Sequence, residues 1–135
     1  MTNRGRIQFP ERAKQIIDFS GLRYKSITPT DIDGTIDFRN KGFVFYEFKY
    51  ENAEMPLGQR IALQRLADDC QNAGKEAVVF LCSHNVKDVR CVVDAANAKV
   101  IETYYKGRWK KEDGKKTAKQ RTDSFLEWIE LNPLI

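Results

Sequence analysis

Apolar and polar positions recur with two different periods along the 135-residue chain, and the switches between them mark the predicted elements. After Phe9, Pro10 and Glu11 open a helix in which Ala13, Ile16 and Ile17 fall on one side, and Gly21 ends it. Residues 23–27 alternate like a strand until Thr28-Pro29-Thr30 interrupts them. Residues 31–38 and 43–50, rich in β-branched and aromatic side chains, flank the turn-forming cluster Arg39-Asn40-Lys41-Gly42 and read as a β-hairpin. Residues 57–73 carry an apolar stripe of Ala62, Leu63, Leu66, Ala67, Cys70 and Ala73, stopped by Gly74. A continuous apolar run over 77–82 has strand length, and 89–93 and 100–105 read as further strands around a connection at 94–98. Residues 117–131 form the last predicted helix, packing through Phe125, Leu126, Trp128 and Ile129, with Pro133 beyond its end. The order αβββαβ, followed by mixed strands and a helix, describes one α/β domain over residues 1–135 with a mixed sheet flanked by helices.

Composition narrows the class. At 41% hydrophobic and 31% charged residues the chain reads as globular rather than disordered. No apolar run approaches the roughly 18 residues of a membrane span, and residues 1–10 lack the apolar core of a signal peptide, so an intracellular protein is expected. Cys70, Cys82 and Cys91 are odd in number, lack zinc-like spacing and sit among apolar neighbours; reduced, buried thiols are expected, not a disulfide scaffold. The net charge of +4 is concentrated: residues 106–121 hold eight basic side chains against two acidic ones. Lys106, Arg108, Lys110, Lys111, Lys115 and Lys116 lie there, with Trp109 among them and Tyr104-Tyr105 just before. Such a patch suits a nucleic-acid backbone, or is simply a solvated loop and helix start.

The chemistry-bearing feature is charge on the hairpin. The run Phe43-Val-Phe-Tyr-Glu-Phe-Lys-Tyr50 is strongly strand-forming, yet it contains Glu47 and Lys49, which share one face. Asp31, Asp33 and Asp37 likewise share a face of the preceding strand. With Asn40 to Gly42 outside the ladder, Asp33 falls opposite Lys49 and one diagonal step from Glu47, while Asp37 falls opposite Phe45. Two carboxylates and a lysine on one face suit metal-assisted phosphodiester hydrolysis. Asp33, Glu47 and the Phe48 carbonyl would hold Mg²⁺, with Mn²⁺ able to substitute, and Lys49 would position the attacking water. Acidic-x-Lys triplets occur twice, at Glu47 and at Asp113, about as often as chance gives; only the first lies on an apolar strand with partner carboxylates. Gln59 shares its helix face with Leu63, Leu66 and Cys70, so its amide needs a polar partner or acts as a cap. His84, the lone histidine, reads as a loop residue after a strand.

Asp33, followed by Tyr46-Glu47-Phe48-Lys49, with Arg4-Gly5-Arg6 before Glu11-Arg12 and Gln59 at the start of the next helix, resembles the PD-(D/E)XK nuclease superfamily. Within that superfamily the pattern is most like archaeal-type Holliday junction resolvases and small phage nucleases. The likeness covers about residues 4–82. It implies a restriction-endonuclease-like αβββαβ core, a Mg²⁺-dependent DNA endonuclease acting on branched DNA, and a homodimer working in a prokaryotic or phage-infected cell. It implies further that Glu11 assists with metal or water, that Gln59 orders the site, and that Arg4, Arg6 and Arg12 join the basic segment in holding phosphates. The superfamily's proline normally directly precedes its aspartate, whereas here Pro29 precedes Thr30-Asp31-Ile32-Asp33, which leaves Asp31 and Asp33 both eligible; spacing favours Asp33. A nuclease for duplex or single-stranded DNA, or a non-catalytic binding module, are the alternatives.

Overall fold

The computed structural model describes residues 4–132 and divides the chain between Thr30 and Asp31 into two compact units. In the first unit every described residue is exposed. Its helix α1 spans only Pro10–Ala13, without buried residues, in place of the longer helix expected up to Gly21. Ile16 and Ile17, the expected apolar stripe, are exposed. A short amphipathic helix is marginal unless its apolar face is packed, and this face packs on nothing within its own unit. Residues 23–27 form no strand either. Tyr24 and Ile27 exchange two backbone hydrogen bonds of 2.9 Å across a tight turn in which Lys25 has φ 56°. Pro133, the expected helix stop, lies outside the described residues.

The second unit is an α/β fold built on a five-stranded mixed sheet in the order β1-β2-β3-β4-β5. The strands are β1 (Gly34–Phe38), β2 (Gly42–Tyr50), β3 (Glu76–His84), β4 (Lys99–Tyr105) and β5 (Arg108–Lys111). Helix α2 (Leu57–Asn72) joins β2 to its parallel neighbour β3, the crossover that parallel pairing requires. Gly74, with φ 85°, ends α2 as expected, since only a residue without Cβ takes that conformation cheaply. Helix α3 (Ala118–Leu131) begins in a full capping box: the Thr117 side chain accepts from the Gln120 backbone, and the Gln120 side chain accepts from the Thr117 backbone. The restriction-endonuclease-like order expected from the sequence is met only in its coarse class, because no strand precedes β1 among the described residues and α1 is a single turn.

Helices α2 and α3 cover opposite faces of the sheet. On the α3 face, Val44, Tyr46, Val78, Phe80, Cys82 and Val100 form one apolar cluster; on the α2 face, Phe45, Leu63, Ala67, Val79, Leu81 and Tyr104 form the other. The alternation of β2 thus sends Tyr46 and Phe48 toward α3, and Phe45, Glu47 and Lys49 toward α2. Of the expected α2 stripe, Leu63 and Ala67 are buried, while Leu66 and Ala73 are exposed.

The structure departs from the sequence reading at four further points. The hairpin register differs by two residues: Phe38 pairs with Gly42 and Asp37 with Phe43, so Arg39, Asn40 and Lys41 form the loop. Arg39 and Asn40 both take positive φ, which tightens the turn. Gly42 stays in the ladder, where an added Cβ would stand 2.4 Å from Ile129 Cδ1. Residues 89–93 are not a strand, with Val89 92% exposed, because no ladder or core receives them. Conversely, β5 lies inside the basic segment, after a Lys106-Gly107 turn with both φ positive. Its Arg-Trp-Lys-Lys sequence hides a strand, because an edge strand keeps charges that deter further pairing. All three cysteines are free, but Cys91 is exposed and Cys70 is half-buried; only Cys82 is buried as expected.

Candidate active site

Strand β1 stops at Gly34, opposite Tyr46, while β2 runs on to Tyr50. The vacated side of β2 is taken by a side chain: Asp33 Oδ2 accepts the Phe48 backbone N–H at 2.8 Å. Within a strand the N–H and C=O of one residue point to the same side, so the Phe48 carbonyl faces the same open edge. Extending the observed register puts Asp33 opposite Glu47 rather than opposite Lys49.

Glu47 lies on an interior strand under the first turns of α2, with its residue only 2% exposed. Its Oε1 is 3.4 Å from Lys49 Nζ. Its Oε2 is buried without a hydrogen-bond partner, the only such side-chain N or O among the described residues. Burial pushes the Glu47 carboxyl up to about 7, a hydrogen bond to Asp33 and the Asp33 charge push the same way, and Lys49 opposes them. Two ionised carboxylates offer each other no donor, so Asp33 satisfies Glu47 only when one of the pair carries a proton.

The lysine is held from two sides. Lys49 Nζ donates to Gln59 Oε1 at 3.2 Å, while Gln59 Nε2 lies 3.4 Å from both the backbone oxygen and Oδ1 of Asp31. The two eligible aspartates thereby separate. Asp31 tethers Gln59 and Asp33 meets Glu47. Gln59 stands in the first turn of α2 and is not its cap, since Pro56 occupies that position without a side-chain hydrogen bond.

Glu11, Arg4, Arg6 and Arg12 are exposed in the first unit, with Glu11 in the first turn of α1. His84 ends β3, where its ring meets Tyr50 edge-on and Nδ1 accepts from the Val86 backbone at 3.2 Å. Lys106 pairs with Glu76 at 3.8 Å, Arg108, Lys110 and Lys111 lie on edge strand β5, and Lys115 and Lys116 lie in the loop before α3. Strands β3 and β4 separate β5 from β2. The aromatics of the basic segment belong to the fold: Trp109 donates to Gln64 at 2.6 Å beneath the Arg60 guanidinium, Tyr104 donates to Asp68, and Tyr105 donates to Glu76. Thr122, Arg121 and Glu112, which the sequence pattern did not single out, build the α3 face. Thr122 hydrogen-bonds Tyr46, and Arg121 pairs with Glu112 at 2.9 Å.

Among the described residues no group of three or more His, Cys, Asp and Glu side chains is arranged to hold a metal. Two carboxylates, one with a buried oxygen lacking any donor, and a backbone carbonyl on the open strand edge suit a hard cation such as Mg²⁺, which keeps several waters and is often bound by one or two carboxylates. No family model, curated protein or solved structure matches the chain. Among the described residues no helix is long and apolar enough to cross a membrane.

Proposed function

We propose that this chain is a Mg²⁺-dependent phosphodiester hydrolase that cuts DNA, with branched DNA such as a four-way junction as its substrate. The observation that carries the reading is the Glu47 Oε2 atom, buried beside Asp33 with no donor, at the one point where β1 gives way and a backbone carbonyl is open. Burying a carboxylate oxygen without a partner costs stability, and a cation repays that cost. Asp33, Glu47 and the Phe48 carbonyl would hold Mg²⁺ or Mn²⁺. When bound, such an ion lowers the pKa of a water and neutralises charge developing on a phosphate.

Lys49 has three N–H donors, of which Glu47 and Gln59 take two. The third is free to orient a water or to meet a phosphate oxygen. Gln59, tied back to Asp31, keeps the ammonium from swinging into solvent. The resemblance of Asp33 and Glu47-Phe-Lys49 to the PD-(D/E)XK nucleases supports DNA as the substrate, and that resemblance alone would give Glu11 a part in handling metal or water. Arg4, Arg6, Arg12 and the basic segment supply phosphate contacts. A four-way junction presents two symmetric cuts, so two copies of the chain would act together.

The test incubates the purified full chain with a four-way junction, a flap, a duplex and a single strand, in Mg²⁺, Mn²⁺ or chelator. Cutting of the junction above the others, lost in chelator and in Glu47→Gln and Lys49→Ala while binding persists, supports the proposal. Preferential cutting of duplex or single strand moves the substrate assignment. A wild type that binds junctions and never cuts overturns the enzyme and leaves a DNA-binding module.

A further inference from the structure

The face of the sheet away from Glu47 carries a groove of about 780 Å³, walled by α3 on one side and by β4, β5 and the following loop on the other. Besides the Ala95–Asn97 turn, helix α3 packs on β2, β3 and β4 more than on β5, so the far edge of the sheet extends past its cover. Strand alternation decides what lines that edge. Trp109 is turned to the α2 face by Gln64 and Arg60, which turns Arg108 and Lys110 into the groove. The helix wall is aromatic: the Phe125 ring lies 6.4 Å from Trp128 and meets Tyr105 edge-on at 6.2 Å. Trp128 is 42% exposed, large for a tryptophan with an adjoining apolar wall.

The charges of the groove do not cancel. Glu112 is taken up by Arg121 and Thr103, and Asp113 accepts the Lys115 backbone N–H at 2.9 Å. The side chains of Arg108, Lys110 and Lys116 line the groove without a hydrogen-bond or ion-pair partner among the described residues. The ligand that uses both halves is flat and apolar at one end and anionic at the other. An inorganic anion would leave the aromatic wall unused, and a neutral apolar molecule would leave three cations unused. The volume falls within the range of small-molecule sites.

We propose that this groove binds a nucleotide unit, its base laid against Trp128 and Phe125 and its phosphate held by Arg108, Lys110 and Lys116. The unit is either a free mononucleotide or one residue of a single strand, since both present a π-face and a phosphate at the same spacing. The site does not depend on the carboxylates, which occupy the other face of the sheet.

The experiment titrates the full chain with AMP, adenosine, inorganic phosphate and a dT pentamer with and without a 5′-phosphate, following tryptophan fluorescence and calorimetric binding. AMP or the pentamer is expected to bind at least tenfold more tightly than phosphate or adenosine. The double variant Lys110→Glu/Lys116→Glu, changed at two exposed positions, is expected to weaken that binding at least tenfold, as is Trp128→Ala, with circular dichroism unchanged. Glu47→Gln is expected to bind like wild type, so a failed nuclease reading leaves this result standing and the reverse. Tighter AMP assigns a free nucleotide, and a tighter pentamer assigns a strand. Equal affinity for phosphate and AMP, binding lost in Glu47→Gln but kept in the lysine double variant, or no binding of any probe overturns the proposal.

Discussion

The Asp33 carboxylate accepts the Phe48 backbone N–H at 2.8 Å, although Asp33 lies one residue before the first strand of the sheet. A side chain therefore completes the hydrogen bonding of β2 where the β1 backbone has stopped. The same carboxylate faces Glu47, so one residue serves both the ladder and the charge cluster.

These two roles separate by substitution. Asp33→Asn keeps an acceptor for Phe48 and removes the charge, so stability should hold within about 0.5 kcal/mol while cleavage falls at least a hundredfold. Asp33→Ala should lose cleavage and also about 1 kcal/mol of stability, the ordinary net worth of one hydrogen bond. Denaturant unfolding alongside the junction assay checks both.

The Glu47 carboxyl, raised to about 7 from an ordinary 4.5, makes metal-free stability depend on pH. Between these two values the folded state binds more protons than the unfolded state, so stability falls as pH rises from about 4.5 to 7 and then levels. The loss from this group is on the order of 1–3 kcal/mol. Glu47→Gln should flatten that fall and melt higher than wild type at pH 8, while cutting nothing. Mg²⁺ should raise the pH 8 melting temperature of wild type and leave Glu47→Gln unmoved. Thermal melts at pH 5 and pH 8, with and without Mg²⁺, measure all of this.

Lys49 opposes the upward shift of Glu47, and Gln59 holds Lys49. Lys49→Met should therefore raise the Glu47 pKa further and abolish cutting. Gln59→Ala should leave the pKa nearly in place and lower kcat roughly tenfold with little change in KM, because it loosens a positioned donor and not a charge. Carbon-13 NMR titration of the glutamate carboxyls separates the two variants.

A Cβ on Gly42 would press to 2.4 Å from Ile129 Cδ1, inside the buried contact between β2 and α3. Gly42→Ala should cost about 1–3 kcal/mol, the usual range for overpacking, with cleavage per folded molecule unchanged. Pairing it with Ile129→Val should recover part of the loss in a double-mutant cycle.

Local sequence carried the elements whose faces are both packed. The stripe ending at Gly74, the apolar run within β3 and the helix after Thr117 all reappear, because hydrophobic period and helix stops act within a few residues of chain. The stretch after Pro10 has the same periodicity but no core of its own, and its helix shrinks to one turn. The charged strand β5 has no apolar pattern to betray it; only its pairing with β4, Tyr104 to Trp109 and Tyr105 to Arg108, makes it a strand.

By itself the sequence determined that Glu47 and Lys49 share one face of a strand and that Gln59 begins the following helix, since side-chain direction follows from the period alone; it placed Asp31 and Asp33 on the partner strand, which in fact starts after them at Gly34. The tertiary structure decided the rest. It set the hairpin register that brings Asp33 to Glu47 instead of Lys49 and used Asp31 to tether Gln59. It turned Arg108, Lys110 and Lys116 toward the opposite face of the sheet and buried Glu47 Oε2 without a donor. Register and burial depend on which surfaces meet across the fold, and no local period records that.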